Sequence, residues 1–310
     1  MTTILDALSW RTYDLPGDAA HGSTPLRIGT AGSGAPTALI TAGIHGDEGP
    51  WGAYAIRRLV SETPVSDLIG TLRVVPCANP LAMAADARNA PLDTLDLNRT
   101  FPGNPNGSHT EALAALLTAE ALPDCDVAID LHGGGSWCVN SFAFVMQGGE
   151  SLSEAFGAPF LVTAPDRTVT LTGYARSQGA RVCAVEMGGR SDQEGVWAER
   201  IAAGLRRALI RAGVLRGTDD PPPSASIRVG DTHVLRPKTG GMFVPVLKSG
   251  DIGTIVPQGT LLGEILDPGT MAVRERLVAP YARTAVLLLR PHLARIEGGA
   301  MTYVVAQPVE

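Results

Sequence analysis

Three apolar runs in this chain each stop on a titratable residue within two positions of glycine, and that pattern constrains the fold more than any other feature. Ala38–Ile44 runs into His45-Gly46-Asp47-Glu48. Val127–Leu131, interrupted by Asp130, runs into His132-Gly133-Gly134. Val182–Val185 runs into Glu186-Met187-Gly188-Gly189. Short apolar runs bounded by glycine read as buried strands. Helical patterns fall between them. Trp51–Val60 follows Pro50, a first-turn position where the missing N–H costs little. Two capping boxes, Ser108-x-x-Glu111 and Ser191-x-x-Glu194, open helices over 112–122 and 195–211. Further strands are expected near 26–28, 71–76 and 142–146. Strands alternating with helices predict an α/β fold, a mostly parallel sheet with helices on its faces.

Composition changes after the last of these helices. Gly217–Ser226 contains Pro221-Pro222-Pro223 and reads as a stiff linker. Beyond it, short Val/Ile/Leu-rich segments alternate with Gly and Pro turns, which predicts a small all-β sandwich or barrel. The expected division is an α/β unit over 1–216, a linker over 217–226 and a β unit over 227–310.

Several functional classes are disfavoured. With 18% charged residues and a net charge of −6, the chain has no basic footprint for nucleic acid. No apolar run approaches the roughly 18 residues needed to span a bilayer. The amino terminus has neither a basic nor an apolar leader segment. The expectation is a cytoplasmic protein with no nucleic-acid partner and no membrane partner. Cys77, Cys125, Cys138 and Cys183 form no C-x-x-C pair and read as buried free thiols.

Parallel strands deliver their carboxyl ends to one edge of a sheet, so the three clusters can converge on one crevice. Imidazole and carboxylate both suit zinc, and a catalytic zinc keeps three protein ligands and one open position. His45, Glu48 and His132 supply three. Glu186, a carboxylate that is expensive to bury unless paired or working, is then free to act as general base and later general acid. Asp130 lies on the same side of its strand as His132. It would orient that imidazole or cap the glycine turn. The long segment 79–107, rich in Asn, Asp, Pro and Gly, reads as a functional loop. It carries Arg88 and the pair Asn98-Arg99. Arginine offers a planar fork for a carboxylate, although loop arginines are also ordinary solvated charges. Cys138, six residues past His132, sits where glycine loops often carry a small packing residue. His21, His109, His233 and His292 lack partner spacing and read as surface or capping residues.

Taken together, the motifs resemble the succinylglutamate desuccinylase/aspartoacylase family, a branch of the zinc carboxypeptidase-like hydrolases. They are Gly43-Ile-His45-Gly-Asp-Glu48-Gly49, Asn79-Pro80, Arg88, Asp96-Leu-Asn98-Arg99-x-Phe-Pro-Gly103, Asp130-Leu-His132-Gly and Val185-Glu186-x-Gly-Gly189. Order and spacing agree over residues 25 to 210. The resemblance implies a zinc-carboxypeptidase-like mixed sheet followed by a barrel-sandwich-like β domain. It implies one zinc per chain on His45, Glu48 and His132, with Glu186 as the catalytic acid/base. Arg88 would polarise the scissile carbonyl, and Asn98 with Arg99 would hold a substrate carboxylate. The family's further substrate arginine, ten residues before the catalytic glutamate, falls on Arg176. Its companion tyrosine does not match: Thr172 stands at that place, and Tyr174 lies two residues on. The implied activity is a zinc-dependent amidohydrolase acting on a small N-acyl amino acid of N-acetyl or N-succinyl type, in a possible homodimer. Three alternatives remain open: a metallocarboxypeptidase acting on a peptide C-terminus, a hydrolase of an ester or sugar-linked amide, and a non-catalytic metal-binding or carrier-type module.

Overall fold

The computed structural model describes residues 1–15 and 25–309, so His21 lies outside the described residues. In chain order the first elements are α1 (Ile4–Ala7), β1 (Ser9–Tyr13), β2 (Leu26–Ala31), β3 (Thr37–Ala42), α2 (Gly49–Glu62), β4 (Thr71–Val75) and α3 (Pro80–Ala84). Then come α4 (His109–Glu120), β5 (Val127–His132), β6 (Val139–Val145), α5 (Glu150–Phe156), β7 (Phe160–Thr163), α6 (Leu171–Ser177), β8 (Arg181–Gly188) and α7 (Glu194–Arg211). The carboxy-terminal part is all strand apart from one 3-10 turn at Ser249–Asp251. It contains β9 (Ile227–Val229), β10 (His233–Leu235), β11 (Gly241–Pro245), β12 (Ile255–Pro257), β13 (Leu261–Leu266), β14 (Val273–Val278), β15 (Arg283–Leu289), β16 (Ala294–Ile296) and β17 (Tyr303–Ala306). Among the described residues no helix is long and apolar enough to cross a membrane.

The main sheet begins in the order β1-β2-β4-β3-β5-β8-β6. Its centre, β4-β3-β5-β8, is parallel, while β1, β2 and β6 run antiparallel to their neighbours. This is the α/β arrangement expected from the alternating pattern. The period of two along each strand then sorts the residues. Ile40, Ile129, Leu131, Val185 and Met187 pack toward α2 and α7, with Trp51, Ile56, Trp197 and Leu205 in the same core. Leu39, Ala128 and Val182 pack on the opposite face beneath α4 and α6. Asp130 and His132 follow Ala128 at every second position, and Glu186 follows Val182 in the same way. These polar side chains therefore share the second face, at the carboxyl ends of their strands.

The sheet continues past the Pro-rich segment. Leu288 and Leu289 of β15 pair antiparallel with Asn140 and Val139 of β6, and β9 pairs parallel with β7. Strands β17 and β10 extend it further. Strands β14-β13-β11-β16 form a separate antiparallel sheet of four.

Some elements differ from the sequence reading. Strand β8 runs on to Gly188, so Glu186 lies inside it, directly opposite His132. The segment 79–107 holds α3 and a 3-10 turn at Leu97–Arg99 within its loops. Glu111 accepts from the Ser108 backbone N–H at 2.8 Å, as a capping box requires. At the second box Glu194 likewise accepts from the Ser191 backbone N–H at 2.8 Å, but the helix cap lies two residues further on. Helix α7 starts after Gln193, and Ser191 Oγ accepts from the Gln193 N–H at 3.1 Å. Strand β1 and the seven-residue helices α5 and α6 were not foreseen. The first is an exposed edge strand without apolar alternation, and the other two are too short to show a helical period.

Candidate metal centre and cleft

After β3 the chain turns at Gly43, whose φ of +73° is a left-handed conformation that favours glycine. A Cβ there would also lie 2.7 Å from Met83 Cε. His45 follows, and Glu48 sits in a 3-10 turn over Gly46–Glu48. That turn docks on the loop after α3: the Gly46 and Asp47 N–H groups donate to Arg88 O and Ala87 O at 3.3 and 3.1 Å. The docking brings the Arg88 side chain beside Glu48.

His45, Glu48 and His132 are all buried, and one ligand atom of each lies within 4.8 Å of the other two. Glu48 Oε2 is 2.9 Å from His45 Nδ1 and 3.0 Å from His132 Nδ1. His45 Nδ1 nevertheless has no hydrogen-bond partner, despite being buried. The same oxygen does hydrogen-bond with His132 Nδ1, and the buried His45 nitrogen it leaves unpartnered is one that a bound ion would satisfy. The far sides of the two rings are alike. His45 Nε2 lies 3.1 Å from Asp96 Oδ1, and His132 Nε2 lies 2.7 Å from Asp130 Oδ2. Asp130 is itself held by Thr41 Oγ1 at 2.5 Å. A carboxylate on the distal nitrogen fixes the tautomer that leaves Nδ1 free to ligate.

The electrostatics agree with a cationic centre. Burial disfavours protonated imidazole at both histidines. The neighbouring carboxylates outweigh it, Glu48 at His45 and Asp130 at His132, and hold both rings above the usual range. Burial would likewise push Glu48 up, but His45 and His132 hold its carboxylate well below the ordinary range. Asp96 behaves similarly through His45 and Arg88. Three carboxylates around two imidazoles thus favour positive charge between the rings. The donor set, two nitrogens and one carboxylate oxygen, is one that suits zinc.

Glu186 sits outside this cluster on the adjoining strand. Burial pushes its carboxyl group up to about 7, against the hydrogen bond donated by Asn140 Nδ2 at 2.8 Å. A cleft of about 360 Å³ opens over these residues and is also lined by Arg88, Asn98 and Arg99. Arg88 donates to Glu48 Oε1 at 3.0 Å and to Asp96 Oδ2 at 3.1 Å. Asn98 Oδ1 accepts from the Leu171 N–H at 3.0 Å, which ties its loop to the start of α6. Arg176 is placed apart from the cleft. It pairs with Asp166 at 2.5 Å and lines an adjoining hollow. Cys138 is buried and lines the cleft without joining the ligand cluster.

Asp96, Asn140 and Thr41 hold other site residues in place, and none was given that part from the sequence. Asn140 did leave a signal, as an amide beside Ser141 in the mostly apolar run 139–145. Asp96 stood only as a motif letter and Thr41 left no signal, because their partners are distant in the chain.

Comparison with known proteins agrees with this geometry. The family profile described as "Succinylglutamate desuccinylase/Aspartoacylase catalytic domain" matches residues 34–212. The N-alpha-acetyl-L-2,4-diaminobutyric acid deacetylase of Halomonas elongata is 30% identical over 92% of this chain and 86% of its own length. Among solved structures, the ectoine utilization protein EutE (DoeB) from Ruegeria pomeroyi, in a product-bound form, superimposes with a TM-score of 0.81 at 28% identity. That match covers 96% of this chain and 95% of the other. A succinylglutamate desuccinylase/aspartoacylase from Rhodobacter sphaeroides gives a TM-score of 0.81 at 27% identity, over 97% and 95%. With the profile spanning more than half of its residues, this chain belongs to the succinylglutamate desuccinylase/aspartoacylase family.

Proposed function

We propose that this protein is a zinc-dependent deacylase that hydrolyses the amide bond of a small N-acyl amino acid. The observation that carries the reading is the division of labour in the cleft: three ligand atoms gathered close together, and a separate carboxyl group, Glu186, held beside them by Asn140. His45 Nδ1, Glu48 and His132 Nδ1 would hold the zinc. Bound there, the ion supplies Lewis acidity, which makes water a nucleophile near neutral pH and polarises a carbonyl.

The remaining steps belong to the chain. Glu186 takes the proton of the attacking water and returns it to the leaving nitrogen. A carboxyl group whose affinity for protons is raised by burial is suited to both tasks. Arg88, steadied by Glu48 and Asp96, places a guanidinium where negative charge grows on the carbonyl oxygen. Arg99, with Asn98 beside it, receives the substrate carboxylate. The Halomonas relative, named as a deacetylase of an N-acetyl amino acid, supports an amide with a free carboxylate nearby.

The test is an assay of the zinc-loaded protein, and of the protein stripped by chelator, on acetylated and succinylated amino acids beside short peptides. Zinc-dependent release of free amino acid is the expected result. Turnover of peptides alone, or equal turnover after stripping, would overturn the reading.

A further inference from the structure

The β6 row facing the cleft changes character along its length. Asn140 holds Glu186, Phe142 stands opposite Glu186 across the β6–β8 ladder, and Phe144 stands opposite Ala184. Met146, just past the strand, continues the row, and all four line the cleft. The two phenylalanine rings meet edge to face with centroids 5.2 Å apart. At about 3.4 Å per residue, Phe142 to Met146 gives an apolar wall of roughly 14 Å leading away from the catalytic carboxylate. Small Ala184 opposite Phe144 leaves room above the ladder. Leu288 and Met301, from the carboxy-terminal part, line the same cleft.

The charges lining this space are unequal. Among the described residues its carboxylates are Glu48 and Glu186, one in the ligand cluster and one held beside it by Asn140. The nearby Asp166 is paired with Arg176 in the adjoining hollow. Arg99 and Arg167 line the cleft as well, both exposed.

We infer that the amino-acid side chain accepted here is uncharged and apolar, seated along Phe142, Phe144 and Met146, with Arg99 left to receive the carboxylate. This rests on the deacylase reading above and specifies its substrate class. A side-chain ammonium, as in the diaminobutyric acid named for the Halomonas relative, would lose water against two phenylalanines with no spare carboxylate to receive it. A second carboxylate would find Arg167 only at an exposed rim, where an ion pair contributes little. An apolar side chain gains burial along the whole wall.

The test separates binding from turnover. Calorimetric titration of the zinc-loaded Glu186→Gln protein would use N-acetyl derivatives of L-leucine, L-phenylalanine, L-2,4-diaminobutyrate and L-aspartate. The leucine or phenylalanine derivative should bind at least about tenfold more tightly than either charged one, since even one methylene in an apolar pocket discriminates by roughly that factor or more. Equal or tighter binding of a charged derivative overturns the inference, whatever the wild-type protein hydrolyses. Turnover by the wild type is read separately, on the N-acetyl and N-succinyl derivatives of all four amino acids: its absence on every one sinks the deacylase reading, and the substrate class with it. As a second check, Met146→Glu at the outer end of the wall should lower the leucine-to-diaminobutyrate ratio by about tenfold. An unchanged ratio in a folded variant counts against the wall as the side-chain site.

Discussion

Asn140 Nδ2 donates to Glu186 Oε2 across the antiparallel β6–β8 pair at 2.8 Å, from a position two residues along the ladder from the one that faces Glu186 directly. The bond favours the ionised carboxylate in a site where burial favours the neutral acid. With the nearby His132 charge, it opposes burial and favours the ionised form of Glu186.

Removing that donor gives a signed prediction. In Asn140→Ala the ionised form of Glu186 loses support, so its affinity for protons rises further. The base proposed for Glu186 must be ionised to act, so the acidic limb of the kcat/KM profile should move to higher pH. A hydrogen bond to a charged group contributes about 1.5–3 kcal/mol, enough for a shift of about one unit or more. Rates should fall most at low pH and recover toward the wild-type value as pH rises. A uniform loss at every pH would assign Asn140 a packing role instead.

Replacing the carboxylate itself separates chemistry from metal retention. Glu186→Gln is nearly isosteric and leaves His45, Glu48 and His132 untouched. It should keep its full zinc content while kcat falls by about 10²–10⁴-fold, the usual worth of a positioned acid/base. Metal analysis beside steady-state kinetics checks both halves. A variant of full activity would remove Glu186 from the mechanism.

Asp96 was legible only as a letter within a motif, and the reason is geometric. Its partner His45 is 51 residues away, and their meeting depends on the 3-10 turn docking against residues 87–88. The proposed ligands are readable because each ends or follows an apolar run, so local pattern alone places them at a sheet edge. Asp130 was readable in the same way, two residues before His132 on one strand. The continuation of the sheet through β15 was not readable. Pairing of Leu288 with Asn140 joins segments nearly 150 residues apart, and nothing in either run names the other.

Asp96→Asn should accordingly weaken zinc without unfolding the chain. The carboxylate that orients His45 Nε2 is replaced by an amide that can present a donor instead. Loss of such a partner typically costs about 10–100-fold in metal affinity. Chelator competition would measure it, with the unfolding curve of the metal-free variant as the control. Unchanged affinity would mean that Asp96 serves Arg88 alone.

The joint between the two parts of the chain gives the last prediction. Strand β6 is paired along one edge by β8 and along the other by β7, with β15 pairing its amino-terminal end, while β7 is paired by β9. Phe142, Phe160 and Val162 share a buried cluster with Val229, Ala285, Leu287 and Ala306. A fragment ending at residue 216 would keep every proposed zinc ligand but bare both strand edges and that apolar face. Unpaired edges beside exposed aromatics promote association between chains. The fragment should therefore be recovered aggregated, or should unfold without a cooperative transition, whereas the full chain unfolds cooperatively. A monomeric 1–216 fragment with a sharp transition would show instead that the α/β part is stable alone and that β9 and β15 only cover it. The same outcome would give the Pro-rich segment the linker role its composition suggests.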